Sequence, residues 1–254
     1  MTGGRGFLGG HVCEALTVAG HDAIPLGRVD GDLAEPGVIE KLLDAHSPDA
    51  VVHLAAVMPG DERLAQNAPI TELVARACTE CGVRLLHGSS TSVYADETPY
   101  AESKRASEQA AAAATILRFA FPYGPGQRRG AIPTMFQQAL DREPIVVYGG
   151  WERSFCFASD AARAVVLLLD ANATGAHDVG RDDDPRTLLE IAQIACRLAG
   201  APAQLIDVVD PPAGPAPALD RLDLGALPEL GWRPEVALED GMSRTLQWLL
   251  SPRA

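Results

Sequence analysis

The amino-acid sequence predicts an α/β protein built on a doubly wound parallel sheet, and three observations carry that prediction. Thr2-Gly3-Gly4-Arg5-Gly6-Phe7-Leu8-Gly9 has the spacing G-x-x-G-x-x-G and runs directly into the helical pattern His11–Ala19. Short apolar runs at His21–Leu26, Pro48–Ala56 and Val83–His87 alternate with helical patterns, the βαβ order that makes strands parallel. The hydrophobic content of 47% is ample for a buried core, and 254 residues suit one large domain or one and a half.

Taken in order, the glycine loop reads as a phosphate cradle. Glycine lets the backbone turn tightly, lets a pyrophosphate approach the amides and lets the helix start pack close to the sheet. A glycine-rich turn without a ligand is the plainer reading, and the turn, helix and strand that follow in βαβ order weigh against it. Only Met1 and Thr2 precede Gly3, where a central strand is required, so the expectation is that the natural start lies upstream. The second strand, His21–Leu26, ends in Gly27-Arg28, followed by Asp30, Asp32 and Leu33. An acid at that strand end holds the ribose hydroxyls of NAD, and a base suits the extra phosphate of NADP. Arg28, with Arg5 in the loop, favours NADP; two merely exposed arginines are the alternative.

Pro48–Ala56 reads as a parallel strand whose carboxyl end, in small residues, faces a ligand. His53 inside it reads as a packed, hydrogen-bonded core residue. A helix over Ile70–Cys81 leads to the strand Val83–His87 and then to Gly88-Ser89-Ser90-Thr91-Ser92, hydroxyl residues at a strand end. Thr98-Pro99-Tyr100 opens the next helix, with Lys104 four residues beyond the tyrosine. Positions i and i+4 share a helix face, so the phenol and the ammonium can enter one pocket, and the Lys104 charge favours phenolate over phenol. Such a tyrosine is a general acid/base for a substrate hydroxyl or ketone. Two unrelated side chains on a surface helix would have the same spacing.

Further along, Ile132–Leu140 reads as a helix, Pro144–Tyr148 as a strand before the Gly149-Gly150 turn, Asp160–Asp170 as an apolar helix and Ala176–Val179 as a strand. Arg186–Leu198 reads as an amphipathic helix ending at Gly200, Pro211–Pro217 as a loop and Leu238–Leu250 as the last helix. Asp182-Asp183-Asp184 reads as a solvated turn, with no metal site.

A net charge of −13 with no Lys/Arg run excludes nucleic acid as a partner. Five scattered cysteines fit a reducing cytoplasm, and Cys78-x-x-Cys81, with no second pair, reads as packed thiols. The longest apolar runs are too short to span a bilayer, and no basic-then-apolar leader opens the chain, so a cytoplasmic protein is expected.

Together these motifs resemble the extended short-chain dehydrogenase/reductases, the NAD-dependent epimerase/dehydratase family. The resemblance rests on Thr2-Gly3-Gly4-x-Gly6-Phe7-Leu8-Gly9, Asp32-Leu33, His53-Leu54-Ala55-Ala56, Asn67, Ser89-Ser90-x-x-Val93-Tyr94, Tyr100-x-x-x-Lys104, Arg118 with Tyr123-Gly124-Pro125, and Leu230-Gly231-Trp232-x-Pro234. It covers nearly the whole chain. It implies a Rossmann-like NAD(P)-binding domain, residues 1–117, and a smaller α/β substrate-binding subdomain, mostly 118–254, with 143–180 returning to the sheet. A nucleotide-sugar is the implied substrate, and a homodimer is the expected assembly.

Residue by residue, the resemblance implies a pyrophosphate site at Gly3, Arg5, Gly6, Phe7, Leu8 and Gly9, and adenine contacts at Asp32 and Leu33. It places Leu54, Ala55, Ala56 and Asn67 beside the nicotinamide ribose, which Lys104 would hold. Ser90 and Tyr100 would bond the reacting oxygen, with Thr91 next to them on the substrate side. Arg153 matches a position used for a substrate diphosphate, a salt bridge to Asp160 being the alternative. Arg221 is the candidate basic substrate contact near the carboxyl end.

Departures from the family pattern narrow the chemistry. Dehydratases carry Asp-Glu where this chain has Thr91-Ser92, so a 4-epimerase or 4-ketoreductase is favoured over a 4,6-dehydratase. Phe121 replaces an asparagine that contacts substrate, and the links at 95–99 and between the second and third strands are short. Two other readings stay open: a dinucleotide-binding regulator without turnover, and a reductase of small non-sugar carbonyls.

Overall fold

The structure is a computed structural model that describes residues 1–94, 98–211 and 222–251. Its amino-terminal part runs α1 (Phe7–Val18), α2 (Val38–His46), β1 (Ala50–His53), α3 (Asn67–Glu80), β2 (Arg84–Ser90), α4 (Pro99–Ala110) and β3 (Thr115–Phe119). There follow β4 (Pro122–Tyr123), α5 (Ala131–Asp141), β5 (Ile145–Tyr148), β6 (Glu152–Arg153), β7 (Cys156–Phe157), α6 (Ala158–Asp170) and β8 (Ala176–Val179). The chain closes with β9 (Arg186–Thr187), α7 (Leu188–Leu198), β10 (Ile206–Val209) and α8 (Leu238–Leu250).

Strands β1, β2, β3 and β8 form one parallel sheet in that order. Side chains alternate across it. Val52, Leu86 and Leu117 pack with Val12 and Leu16 of α1 and Val165 and Leu168 of α6. Val51, Leu85 and Ile116 point the other way, onto Ile39, Leu43, Val74 and Ala77 of α2 and α3. This period of two, with helices on both faces, is the doubly wound Rossmann-like arrangement. Arg84 fastens the sheet to α6 by donating to the carbonyls of Leu168 and Ala173, each at 2.9 Å, where a helix C-terminus leaves acceptors open.

The second strand is shorter than its apolar run suggests. Thr2 forms parallel bridges to His53 on one side and Leu26 on the other, and Leu26 N donates to Met1 O at 2.8 Å. Within His21–Leu26 the bridge falls at Leu26, and the Met1 amino group donates to the Ile24 carbonyl at 2.8 Å.

The carboxyl-terminal part has its own core, where Ile132 and Phe136 of α5 meet Ile145, Val147, Ile191 and Met242. Of the segment 143–180, β8 joins the large sheet, whereas β5 pairs with β10 in a separate two-stranded sheet. Trp232 donates to the Asp160 carbonyl at 2.9 Å, and the Asp160 carboxylate accepts from the amides of Glu235 and Val236. The Leu230–Pro234 motif is thus a buckle on α6. Asp183 and Asp184 pair with Arg181 and Arg186, and among the described residues no acid or thiol cluster could hold a metal ion. No helix among them is long and apolar enough to cross a membrane.

Candidate active site

Beyond the carboxyl ends of β1, β2 and β3 lies a cavity of about 1110 Å³, the place where open parallel sheets bind ligands. Its floor is the glycine loop. A Cβ at Gly9 would sit 2.0 Å from the Gly3 carbonyl oxygen, and one at Gly3, where φ is +70°, 2.6 Å from Ala55 N. The loop therefore packs backbone on backbone, which only glycine allows. α1 begins after Gly6 with no side-chain cap and no acid in its first turn, leaving its amides and dipole for an anion. A dinucleotide pyrophosphate fits this cradle.

Gly3, Arg5, Gly6, Phe7, Leu8, Gly9, Arg28, Asp32, Leu33, Leu54, Ala55 and Ala56 all line the cavity. Two of them are already engaged. Arg5 pairs with Asp30 at 3.2 Å, an acid also held by Gly27 N, so this arginine is not free for a phosphate. Asp32 caps Ala34 N at 3.0 Å. Asn67 is a correction: it does not reach the cavity. Its amide clamps both backbone groups of Val57, at 2.7 and 3.0 Å, and donates to Ser103 at 3.3 Å, bracing the wall from behind.

Tyr100, Lys104, Ser90 and Thr91 converge on the same cavity. Thr98 caps α4 by accepting from Ala101 N at 3.1 Å, and Pro99 pre-sets its first turn, which aims Tyr100 and Lys104 inward. Lys104 is 4% exposed and donates to the Gly88 carbonyl at 3.0 Å. Burial pulls its pKa down to about 8, with the Glu108 carboxylate opposing. Burial raises the Tyr100 pKa, and its contact with the Ser90 side chain pulls the other way. The expectation that Lys104 depresses Tyr100 is thus not met. Tyr100 is a neutral phenol, because desolvation outweighs its polar contacts and the ammonium is directed at Gly88. Ser90 accepts from Ser92 N at 3.1 Å, which orients its hydroxyl.

His53 is fully buried against Thr2, at 2.7 Å, and burial holds it neutral with a pKa of about 3, in line with its reading as a core residue. Phe121 lines the cavity. Arg153 does not, and its alternative partner is ruled out because Asp160 pairs with Arg163 instead. Arg221 and most of the Pro211–Pro217 loop lie outside the described residues.

Sequence reasoning missed three features. Glu108, one turn beyond Lys104, takes a bidentate pair from Arg118, at 2.9 and 2.6 Å, and a 2.6 Å bond from Ser89, tying α4 to β2 and β3. Its i+4 spacing from Lys104 was the available signal. Arg63, paired with Asp61 at 2.8 Å, and the adjacent Arg128 and Arg129 also line the cavity. In a chain of charge −13 the cavity is lined by Arg28, Lys104, Arg128 and Arg129 beside the paired Arg5 and Arg63, against Asp32 as the lining carboxylate among the described residues.

Residues 1–180 match the profile of the NAD dependent epimerase/dehydratase family. A dTDP-glucose 4,6-dehydratase of Actinoplanes sp. is 29% identical over 321 residues, covering 100% of this chain and 98% of that protein. A dTDP-4-dehydrorhamnose reductase of Mycobacterium tuberculosis is 28% identical over 204 residues, covering 69% of this chain and 66% of that one. Among solved structures, the dTDP-glucose 4,6-dehydratase DesIV of Streptomyces venezuelae, with NAD and TYD bound, superposes with a TM-score of 0.83 at 24% identity, over 97% of this chain and 95% of that one.

Proposed function

The chain belongs to the NAD-dependent epimerase/dehydratase family, and on that premise we propose that it is an NAD(P)-dependent oxidoreductase acting on a nucleotide-linked sugar, as a 4-ketoreductase or 4-epimerase. The observation that carries this reading is the convergence of Tyr100, Ser90 and Lys104 on the cavity whose floor is the glycine loop. A bound nicotinamide dinucleotide supplies the hydride. Tyr100, a neutral phenol, donates the proton that a ketone oxygen needs as it becomes a hydroxyl, and Ser90 bonds the same oxygen. Lys104, fixed by Gly88, holds the dinucleotide ribose from its buried position. In the oxidising direction the phenol must first lose its proton, which burial opposes.

A 4,6-dehydratase would need an acid beside the sugar. Thr91 and Ser92 stand at that place, Glu108 is committed to Arg118 and Ser89, and the lining carboxylate Asp32 belongs to the adenine end. Arg128, Arg129 and the other cations suit a phosphate-bearing substrate, and Arg153 anchors one of its phosphates. Arg28, exposed at the adenine end, prefers NADP over NAD. Phe121 favours a second reading, reduction of a small carbonyl compound without a sugar, because an apolar ring stands where an amide would bond a hydroxyl.

Turnover with a 4-keto nucleotide-sugar and reduced cofactor tests the proposal. Stoichiometric loss of nicotinamide absorbance selects the reductase, and sugar interconversion without net cofactor change selects the epimerase. Turnover confined to small non-sugar carbonyls selects the second reading, and cofactor binding with no turnover on any of them rejects the enzymatic assignment.

A further inference from the structure

Arg153 is a buried cation that no carboxylate among the described residues pairs with. Its side chain is 9% exposed, and among the described residues it makes no ion pair. One guanidinium nitrogen donates to the Glu152 carbonyl at 2.7 Å, while the group as a whole meets two rings, Phe121 at 5.7 Å and Trp151 at 5.4 Å. Burial lowers its pKa, a sign that the charge is held without adequate compensation. Aromatic rings attract the cation but cannot take its five in-plane N–H donors.

Phe121 is strained at the same spot. Its φ is +36°, in the left-handed region that a bulky residue rarely adopts, and its ring rests on Phe155 at 5.5 Å. The ring is 37% exposed and lines the cavity, whereas Arg153 behind it does not reach the wall. A cation without a carboxylate partner among the described residues and a strained side chain covering it are the two halves of one arrangement.

We propose that Phe121 is a specificity-determining residue, a displaceable cap that keeps Arg153 out of the cavity until a phosphate-bearing ligand moves the ring aside. The proposal deepens the phosphate-anchor reading of Arg153 and rests on it. A phosphate meets the planar guanidinium fork with two oxygens, an exchange that a ring contact cannot match. A neutral carbonyl compound gains nothing by displacing the ring. The cap therefore makes entry to this end of the cavity conditional on negative charge.

The test uses the full chain, saturated with reduced dinucleotide so that the glycine loop is filled, and titrates inorganic pyrophosphate by calorimetry. Phe121→Asn should bind it about tenfold tighter, since asparagine tolerates left-handed backbone and leaves Arg153 uncovered. Phe121→Leu, which also removes the ring but supplies no amide, should show the same direction. Arg153→Gln should weaken binding, and adding Phe121→Asn to it should restore nothing. If Phe121→Asn stays within about twofold of the parent while Arg153→Gln weakens binding, the cap is refuted and the anchor stands. If Arg153→Gln changes nothing in either background, the anchor reading itself fails. A gain with asparagine but not leucine assigns the effect to the new amide and also refutes the cap. Far-ultraviolet circular dichroism and melting of each variant confirm that the compared chains are folded.

Discussion

Replacing Lys104 by methionine should stabilise the protein while abolishing its chemistry. Burial lowers the Lys104 pKa from 10.5 to about 8, and a tenfold change in proton affinity corresponds to about 1.4 kcal/mol, so charging this amine inside the fold costs about 3 kcal/mol at pH 7. The sign follows from the direction. Because the folded value lies below the unfolded one, the penalty is complete below about pH 8 and fades as pH rises toward 10.5. Methionine is of similar length, fills the same space and carries no charge. It forfeits the bond to the Gly88 carbonyl, worth about 1 kcal/mol, which leaves a net gain of about 2 kcal/mol at pH 7. For a chain of this size that is a rise in Tm of about 4–8 °C. At pH 9.5 the penalty has shrunk to about 1.4 kcal/mol, and the advantage should nearly vanish. Urea unfolding of both proteins at the two pH values, at one ionic strength, measures this. A variant less stable than the parent at pH 7, or an advantage that does not change with pH, would refute the reasoning.

Other outcomes follow from the same geometry. Tyr100→Phe should lower kcat by at least about 100-fold and leave dinucleotide affinity unchanged, as read by steady-state kinetics and calorimetry. Arg28→Glu should weaken NADP by about tenfold and NAD far less; equal losses would remove the cofactor preference. Glu108→Gln should destabilise the fold by about 1–3 kcal/mol in urea titrations, because Arg118 loses the carboxylate that balances it in a half-buried setting. In the parent enzyme kcat/KM should fall as pH rises through about 8, where Lys104 loses its charge, and a profile flat through that region would remove the ammonium from the mechanism.

Much of the site was legible because backbone geometry dictates it. The glycine spacing announces a loop that only glycine can form, and the i, i+4 spacing of Tyr100 and Lys104 announces a shared helix face. Spacing says nothing about what an ammonium will bond, and Lys104 reaches the Gly88 carbonyl while burial sets the Tyr100 pKa. The run His21–Leu26 has strand composition, yet within it the bridge falls at Leu26. Asn67 lies in the expected region but behind the wall, because its side-chain amide matches the two backbone groups of Val57 better than open space. The Asp160 carboxylate that Arg153 does not meet is taken by Arg163, one turn further along α6, and by the amides of Glu235 and Val236, about 75 residues away in sequence, which no local pattern reveals.

The central claim is that hydride and proton meet at one carbonyl group beside Tyr100. It is tested most directly by supplying nicotinamide cofactor carrying deuterium at its transferable position together with a 4-keto nucleotide-sugar, and following the label by mass spectrometry. The account predicts deuterium at a single carbon of the product in the parent enzyme and only a trace with Tyr100→Phe. Unlabelled sugar and intact cofactor, from a protein that binds the dinucleotide tightly, would contradict it.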